Sequence, residues 1–312
     1  MSVVAPAAAG RRPRVLFAAS EVYPLVKTGG LADVAACLPQ ALRELGVDVR
    51  IIMPGYREVL GLRDWRVVAD LPVAPGVRLR GGRLEGGVPI YLVDAPDCFD
   101  RAGNPYLGPD GEDWPDNARR FGVFCRAIAA IADGSAGLAW RPDVLHANDW
   151  HTGLALALLD GRPGRPRTLF TIHNLAYQGL FPRADFDALA LPPRLWALEG
   201  VEFYGQLSFM KAGLQFADRL STVSPRYAEE IMTPEYGHGL DPLLGHRRDA
   251  LTGIVNGVDY RIWDPRHDPH LPAPYWHDRL EGKRAAKAQL QAALGLAAAP
   301  QECLYGHIGR MS

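Results

Sequence analysis

Three stretches of this chain concentrate side chains that bind polar ligands. The first is Lys27-Thr28-Gly29-Gly30-Leu31-Ala32-Asp33. Two adjacent glycines let the backbone approach a ligand closely and adopt φ > 0, the next residues offer the unpaired N–H groups of a helix start, and Lys27 adds a cation. That combination suits a diphosphate, although a plain glycine turn has the same spelling, and the stretch is neither a Walker loop nor G-x-G-x-x-G. The second is His146-Ala147-Asn148-Asp149-Trp150-His151. Carboxylate and imidazole groups orient hydroxyls, and an indole packs on the apolar face of a pyranose, so the group reads as a sugar site. A metal site on His146, Asp149 and His151 competes with that reading, as does simple helix capping by Asp149. The third is His173-Asn174-Leu175-Ala176-Tyr177-Gln178-Gly179, where a lone histidine after a strand would otherwise be structural. Asn256-Gly257-Val258-Asp259 reads alone as a turn, and Ser224-Pro225 as a helix start with serine at the cap.

These stretches gain meaning from the elements that must carry them. Val15 to Ala19 is an apolar run, Leu31, Val34, Ala35, Leu38, Leu42 and Leu45 recur at helical spacing, and Val47 to Met53 is β-rich. The first 55 residues therefore predict a β-α-β unit, with Pro39 placed to kink or shorten its helix. Residues 63 to 93 are β-rich and turn-rich, with Val88 to Val93 the clearest strand, and Asn117 to Ala132 has a helical period. Further strands are expected at Val144–His146, Thr168–His173, Arg219–Val223 and Gly253–Val255, and helices at Thr152–Leu159, Leu207–Ala217 and Pro225–Met232. The fold class is a doubly wound α/β domain with a parallel sheet. Each polar stretch then follows a strand, and ligands in such sheets bind beyond the carboxyl ends of the strands.

The domain expectation is a loose tail over 1–13, a main domain over 14–263, a connector and helix over 264–295, and the first strand of a second domain over 296–312. Four prolines between Asp264 and Tyr275 mark the connector, Glu281 to Leu294 the helix and Cys303 to Ile308 the strand. A parallel strand there would need further neighbours, so the second domain reads as truncated.

Composition narrows the function classes. With 34 Lys and Arg against 35 Asp and Glu, the net charge of -1 gives no global field to recruit nucleic acid or an anionic membrane. Four scattered cysteines without a C-x-x-C pair suggest neither a zinc framework nor a secreted disulfide scaffold, which points to the cytoplasm. No uncharged run approaches the roughly 18 residues of a membrane span.

The same motifs resemble the bacterial and plant glycogen and starch synthases, glycosyltransferase family 5, of the ADP-glucose type. KTGGLADV at 27–34, GNPYLG at 103–108, DWPDNARRF at 113–121, HANDWHTG at 146–153, TIHNLAYQG at 171–179, EFYGQLSFMKAGLQFAD at 202–218 and GIVNGVD at 253–259 follow that family's order. The resemblance runs from about Arg14 to Arg310.

It implies the amino-terminal Rossmann-like half of a GT-B glycosyltransferase that moves glucose from ADP-glucose to the non-reducing end of an α-1,4-glucan, with retention and without a metal or other cofactor. His173, Asp149 and Lys27 are the implied catalytic residues. Lys27, Gly29, Gly30 and Arg310 would meet the donor phosphates. Asp33, Tyr106, His151, Asn174, Tyr177, Gln178 and Asn256 would serve the sugar or acceptor. The resemblance also predicts that the chain alone lacks most of the donor-binding domain and transfers little glucose. Against it stand a non-enzymatic glucan-binding module and a nicotinamide dehydrogenase. The latter lacks both G-x-G-x-x-G and an acidic residue after the second strand, where Met53-Pro54-Gly55-Tyr56 stands.

Overall fold

The computed structural model of the protein describes residues 11–308, so Arg310 and most of the expected tail lie outside the described residues. The chain divides into two compact units, residues 1–256 and 257–312.

The first unit opens with β1 (Arg14–Ala18), α1 (Gly30–Glu44), β2 (Asp48–Pro54) and α2 (Arg57–Gly61). An antiparallel meander follows, made of β3 (Arg66–Asp70), β4 (Arg78–Arg83) and β5 (Pro89–Asp94), and then α3 (Pro96–Phe99) and α4 (Asn117–Asp133). Next come β6 (Val144–Asn148), α5 (Trp150–Leu159), β7 (Arg167–Ile172), β8 (Leu180–Pro182) and α6 (Arg183–Ala188). The unit ends with β9 (Glu202–Phe203), β10 (Gln206–Ser208), α7 (Phe209–Phe216), β11 (Arg219–Thr222), α8 (Pro225–Glu230), α9 (Asp241–His246) and β12 (Leu251–Gly253).

Nine strands form one sheet in the order β12-β11-β7-β6-β1-β2-β5-β4-β3. From β12 to β5 every pairing is parallel, and β4 and β3 add an antiparallel edge. Successive strands leave β1 on one side toward β2 and return on its other side at β6, which makes the carboxyl end of β1 a topological switch point. Leu16, Phe17 and Ala18 are fully buried, as expected of a strand with both faces covered.

Helix α1 runs through Pro39, which is itself buried, so the proline neither stops nor shortens it. Its end is set by Gly46 at φ 88°, where Gly46 N–H reaches Arg43 O at 2.9 Å and Val47 N–H reaches Leu42 O at 3.0 Å. That left-handed closure satisfies the last carbonyls. Helix α5 is apolar nearly all round and is buried between α4 and α7. Gly153 is the reason it fits, because a Cβ there would lie 2.1 Å from Phe209 O. The small sheet β8-β10-β9 turns at Tyr204-Gly205, both at positive φ, the geometry that tight hairpins demand.

Most expected elements form within one or two residues of their predicted ends. The last strand of the sheet is displaced as a whole by two residues, spanning Leu251–Gly253 where Gly253–Val255 was expected. Its pairing with Leu220–Thr222 fixes the register, whereas Ile254 and Val255 are exposed.

In the second unit, α10 (Glu281–Ala293) forms as expected. Lys287 Nζ donates to Ala299 O at 2.8 Å and Gln291 Nε2 to Ala297 O at 2.9 Å. Cys303 to Ile308 does not form the predicted strand. Among the described residues no strand pairs with its backbone, five of its six residues are exposed, and apolar composition alone does not satisfy a strand's N–H and C=O groups.

Candidate functional site

The carboxyl ends of β1, β6 and β7 meet at one place, and a buried carboxylate organises the first exit. Glu21, 3% exposed, accepts the Thr28 backbone N–H, the Thr28 hydroxyl at 3.0 Å and the Gly29 N–H at 3.2 Å. The glycine turn is thereby folded back onto the strand exit, with α1 starting at Gly30. A carboxylate among several donors is among the stronger local clamps available to a loop. Lys27 lies outside this clamp and pairs with Asp33 at 2.7 Å, both side chains about half exposed.

Tyr106 joins the second exit to the first. Its hydroxyl lies 2.8 Å from Ser20 Oγ and donates to Glu21 Oε1 at 3.3 Å, and burial pushes its pKa well above the usual tyrosine value. Its ring stacks on His151 at 4.5 Å, and His151 stacks on Trp150 at 4.0 Å. Burial, reinforced by Arg120, holds the His151 pKa well below the ordinary value, so its ring is neutral. His151 Nδ1 is buried without a hydrogen-bond partner.

Asp149 begins α5 with φ at 55°, a conformation a non-glycine residue adopts only when its surroundings enforce it. Its side chain does not cap that helix. Instead Oδ1 crosses to the next loop and accepts His173 N–H at 2.7 Å and Asn174 N–H at 3.5 Å. The capping reading therefore fails because these amides of a neighbouring strand exit claim the carboxylate. Burial raises the Asp149 pKa to about 7, against the opposing pull of the two amides.

His173 completes the group. Burial lowers its pKa to about 4, so the ring is neutral near pH 7 and its tautomer can be argued. Asn148 Nδ2 donates to Ala18 O at 3.0 Å, which turns Asn148 Oδ1 toward His173 Nε2 at 3.0 Å. An amide oxygen only accepts, so Nε2 carries the proton and Nδ1 is left as an acceptor.

His146 points elsewhere. It shares a buried row with Thr171 and Ser221, with 2.7 Å at each step. Burial, aided by the nearby His173, lowers its pKa to about 3. Among the described residues no three His, Cys, Asp or Glu side chains come together to hold a metal ion, so the set His146, Asp149 and His151 does not assemble.

The remaining expected residues surround this centre unevenly. Gln178 is buried, donates to His238 O at 3.0 Å and has its Oε1 unpartnered. Asn174 and Tyr177 are exposed at the rim. Ser224 does cap α8, accepting Tyr227 N–H at 2.9 Å. Asn256 follows β12 on the same carboxyl edge, three strands from β6, and is exposed. Lys27, Asp149, His173 and Asn256 thus follow four parallel strands at one edge.

Glu21 and Asn148 are the residues that sequence reasoning missed. A single acid two residues past a strand carries no spacing signal. The clue available was the glycine turn seven residues later, whose amides needed an acceptor.

Comparison with known proteins gives the family of the chain. A family model described as starch synthase catalytic domain matches residues 14–246. The chain is 57% identical over 304 residues to a glycogen synthase of Thioalkalivibrio sulfidiphilus (strain HL-EbGR7), covering 96% of this chain and 63% of that protein. It is 53% identical over 306 residues to glycogen synthase 1 of Methylococcus capsulatus (strain ATCC 33009 / NCIMB 11132 / Bath), covering 96% and 61% respectively. Among solved structures, the catalytic domain of starch synthase IV from Arabidopsis thaliana bound to ADP and acarbose superposes with a TM-score of 0.74 at 29% identity, over 93% of this chain and 60% of that one. The chain spans between 60% and 63% of the length of these matches. With the doubly wound sheet and the motif order already in place, the chain belongs to the starch synthase catalytic domain family.

Proposed function

We propose that this sheet edge binds the glucose and diphosphate of ADP-glucose beside the non-reducing end of an α-1,4-glucan, and that the complete protein transfers the glucose with retention of configuration. The observation carrying this reading is the Asp149–His173 junction, where a buried carboxylate and a neutral histidine are fixed side by side at the switch point. His173 Nδ1 accepts a sugar hydroxyl. Asp149, whose pKa lies near 7, becomes more fully ionised as positive charge develops on the sugar ring. The Tyr106–His151–Trp150 stack forms an aromatic wall beside it.

The leaving diphosphate gathers negative charge near Lys27 and the amino end of α1. Lys27 is free to serve it, because an exposed pair such as Lys27–Asp33 is worth at most about 1 kcal/mol. Gly29 contributes mainly shape, since its N–H is taken by Glu21, so Gly30 and the following helix amides are the donors that face outward. Cation and helix end together do the work of a divalent metal, and no cofactor is required. The ADP and acarbose of the Arabidopsis neighbour support an ADP-bearing donor.

We place the protein in the cytoplasm, a reading supported by four scattered cysteines with no C-x-x-C pair. No helix among the described residues is long and apolar enough to cross a membrane.

The test is incorporation of labelled glucose into glycogen by the complete polypeptide encoded at this locus, with ADP-glucose and UDP-glucose in parallel and with a chelator added. Faster transfer from ADP-glucose, unchanged by chelation, is expected. Preference for UDP-glucose or loss of activity on chelation contradicts the reading.

A further inference from the structure

A second cleft lies on one face of the sheet near the amino ends of β2 and β5 and the carboxyl end of the antiparallel β4, away from the site just described. It has a volume of about 380 Å³ and is lined by Arg50, Arg66 and Arg83 around Tyr91, Val68 and Gly81. The register explains the convergence. Ile52, Tyr91, Gly81 and Arg66 are successive partners across β2, β5, β4 and β3, so they share a face. Arg50 and Arg83 lie two residues from Ile52 and Gly81 on the same face. Gly81 keeps the floor open, since a Cβ there would sit 2.7 Å from Val68 Cγ2.

The charge on this face is not neutralised as it is on the other. On the opposite face Arg78 and Arg80 are both held by buried Asp94, at 3.1 and 2.7 Å. The cleft lining has no Asp or Glu, and the Arg66 side chain makes no hydrogen bond or ion pair among the described residues. Asp48, which is not part of the lining, holds Oδ1 at 3.9 Å from Arg50 Nε and accepts Trp140 Nε1–H on its other oxygen at 2.8 Å. Arg50 is also preset, with its guanidinium over the Trp140 ring at 4.5 Å and Nη1 on the Tyr91 hydroxyl at 2.5 Å. Its Nε is buried without a hydrogen-bond partner. Arginine on an edge strand can guard against aggregation, which would account for Arg66 on β3. It does not account for Arg50, three strands further in.

We infer that this cleft binds the phosphomonoester anion of a small sugar-sized ligand. Guanidinium forks pair bidentately with phosphate oxygens. Tyr91, Pro89 and Val68 offer apolar surface to the attached ring. The volume is that of a small-molecule site.

The probe is glucose 1-phosphate, titrated calorimetrically into the purified chain, with inorganic phosphate as competitor and glucose as the uncharged control. Saturable binding with a Kd of about 1 mM or tighter is expected, displaced by phosphate and absent for glucose. Arg66→Glu and Arg83→Glu are each expected to weaken it about tenfold with the thermal melt unchanged. Lys27→Ala at the first site, and Arg43→Glu in the neighbouring basic cleft of Arg11, Arg12, Arg14 and Arg43, leave it unaltered. No saturation below about 10 mM, equal binding of glucose, or equal weakening by Lys27→Ala or Arg43→Glu overturns the proposal. So does binding by both Arg66→Glu and Arg83→Glu within twofold of the unaltered chain.

Discussion

At the scale of single residues, Glu21 and Asp149 do related jobs with different consequences. Both are buried carboxylates that spend their oxygens on backbone amides of a neighbouring loop. Glu21 accepts from Thr28 and Gly29, so Glu21→Gln replaces one acceptor oxygen by a donor facing those N–H groups. We expect it to cost about 1–3 kcal/mol of stability and to raise KM for the proposed nucleotide sugar more than it lowers kcat, because the Lys27–Gly30 loop is displaced. Urea melts and steady-state kinetics measure both, and an unchanged KM would speak against the clamp. The polar types at 149 and 173 were legible from sequence because each follows a short apolar run. Their mutual bond was not, since it depends on the positive φ of Asp149, which turns the carboxylate away from its own helix.

At the scale of elements, the core arrangement depends on close approach and on neutral buried imidazoles. Gly153→Ala would push α5 from α7, and a cost of about 1–3 kcal/mol is expected, read as a lower urea midpoint. A midpoint equal to that of the unaltered chain would mean the helices separate freely. The buried imidazoles of His146, His151 and His173 all titrate below the usual range and shape the pH response. His146 and His173 have folded values of about 3 and about 4, below the usual 6.5. Between 6.5 and those values the unfolded chain binds more protons, so their contribution is present above 6.5 and is lost as pH falls. Asp149 acts in the reverse sense, its contribution being lost as pH rises from the ordinary aspartate range through about 7. His146→Asn is expected to flatten the loss of stability between pH 6.5 and 4, and an unchanged slope would contradict the assignment. Sequence periodicity located these strands and helices because both faces of the sheet are covered. It misplaced the strand over 253–255, where pairing sets the register, and it proposed a strand over 303–308, with which no strand pairs among the described residues.

At the scale of the molecule, the first compact unit is a scaffold whose switch point gathers three loops into one site. The sheet order could be anticipated only as a class, because strand neighbours several tens of residues apart leave no local trace. The antiparallel edge, with its arginine-lined face, was likewise not foreseen. The central claim is that the junction of Asp149 and His173 is the sugar site. Its most direct measurement is the initial rate of glucose transfer to glycogen by the complete polypeptide carrying Asp149→Asn or His173→Ala, with the melting temperature recorded for each. We predict a fall in kcat of about 10²–10³ for either variant, the range for losing one preorganised polar group, with melting within a few degrees of the unaltered protein. Rates within tenfold of the unaltered protein for both variants, with the fold intact, would contradict the account.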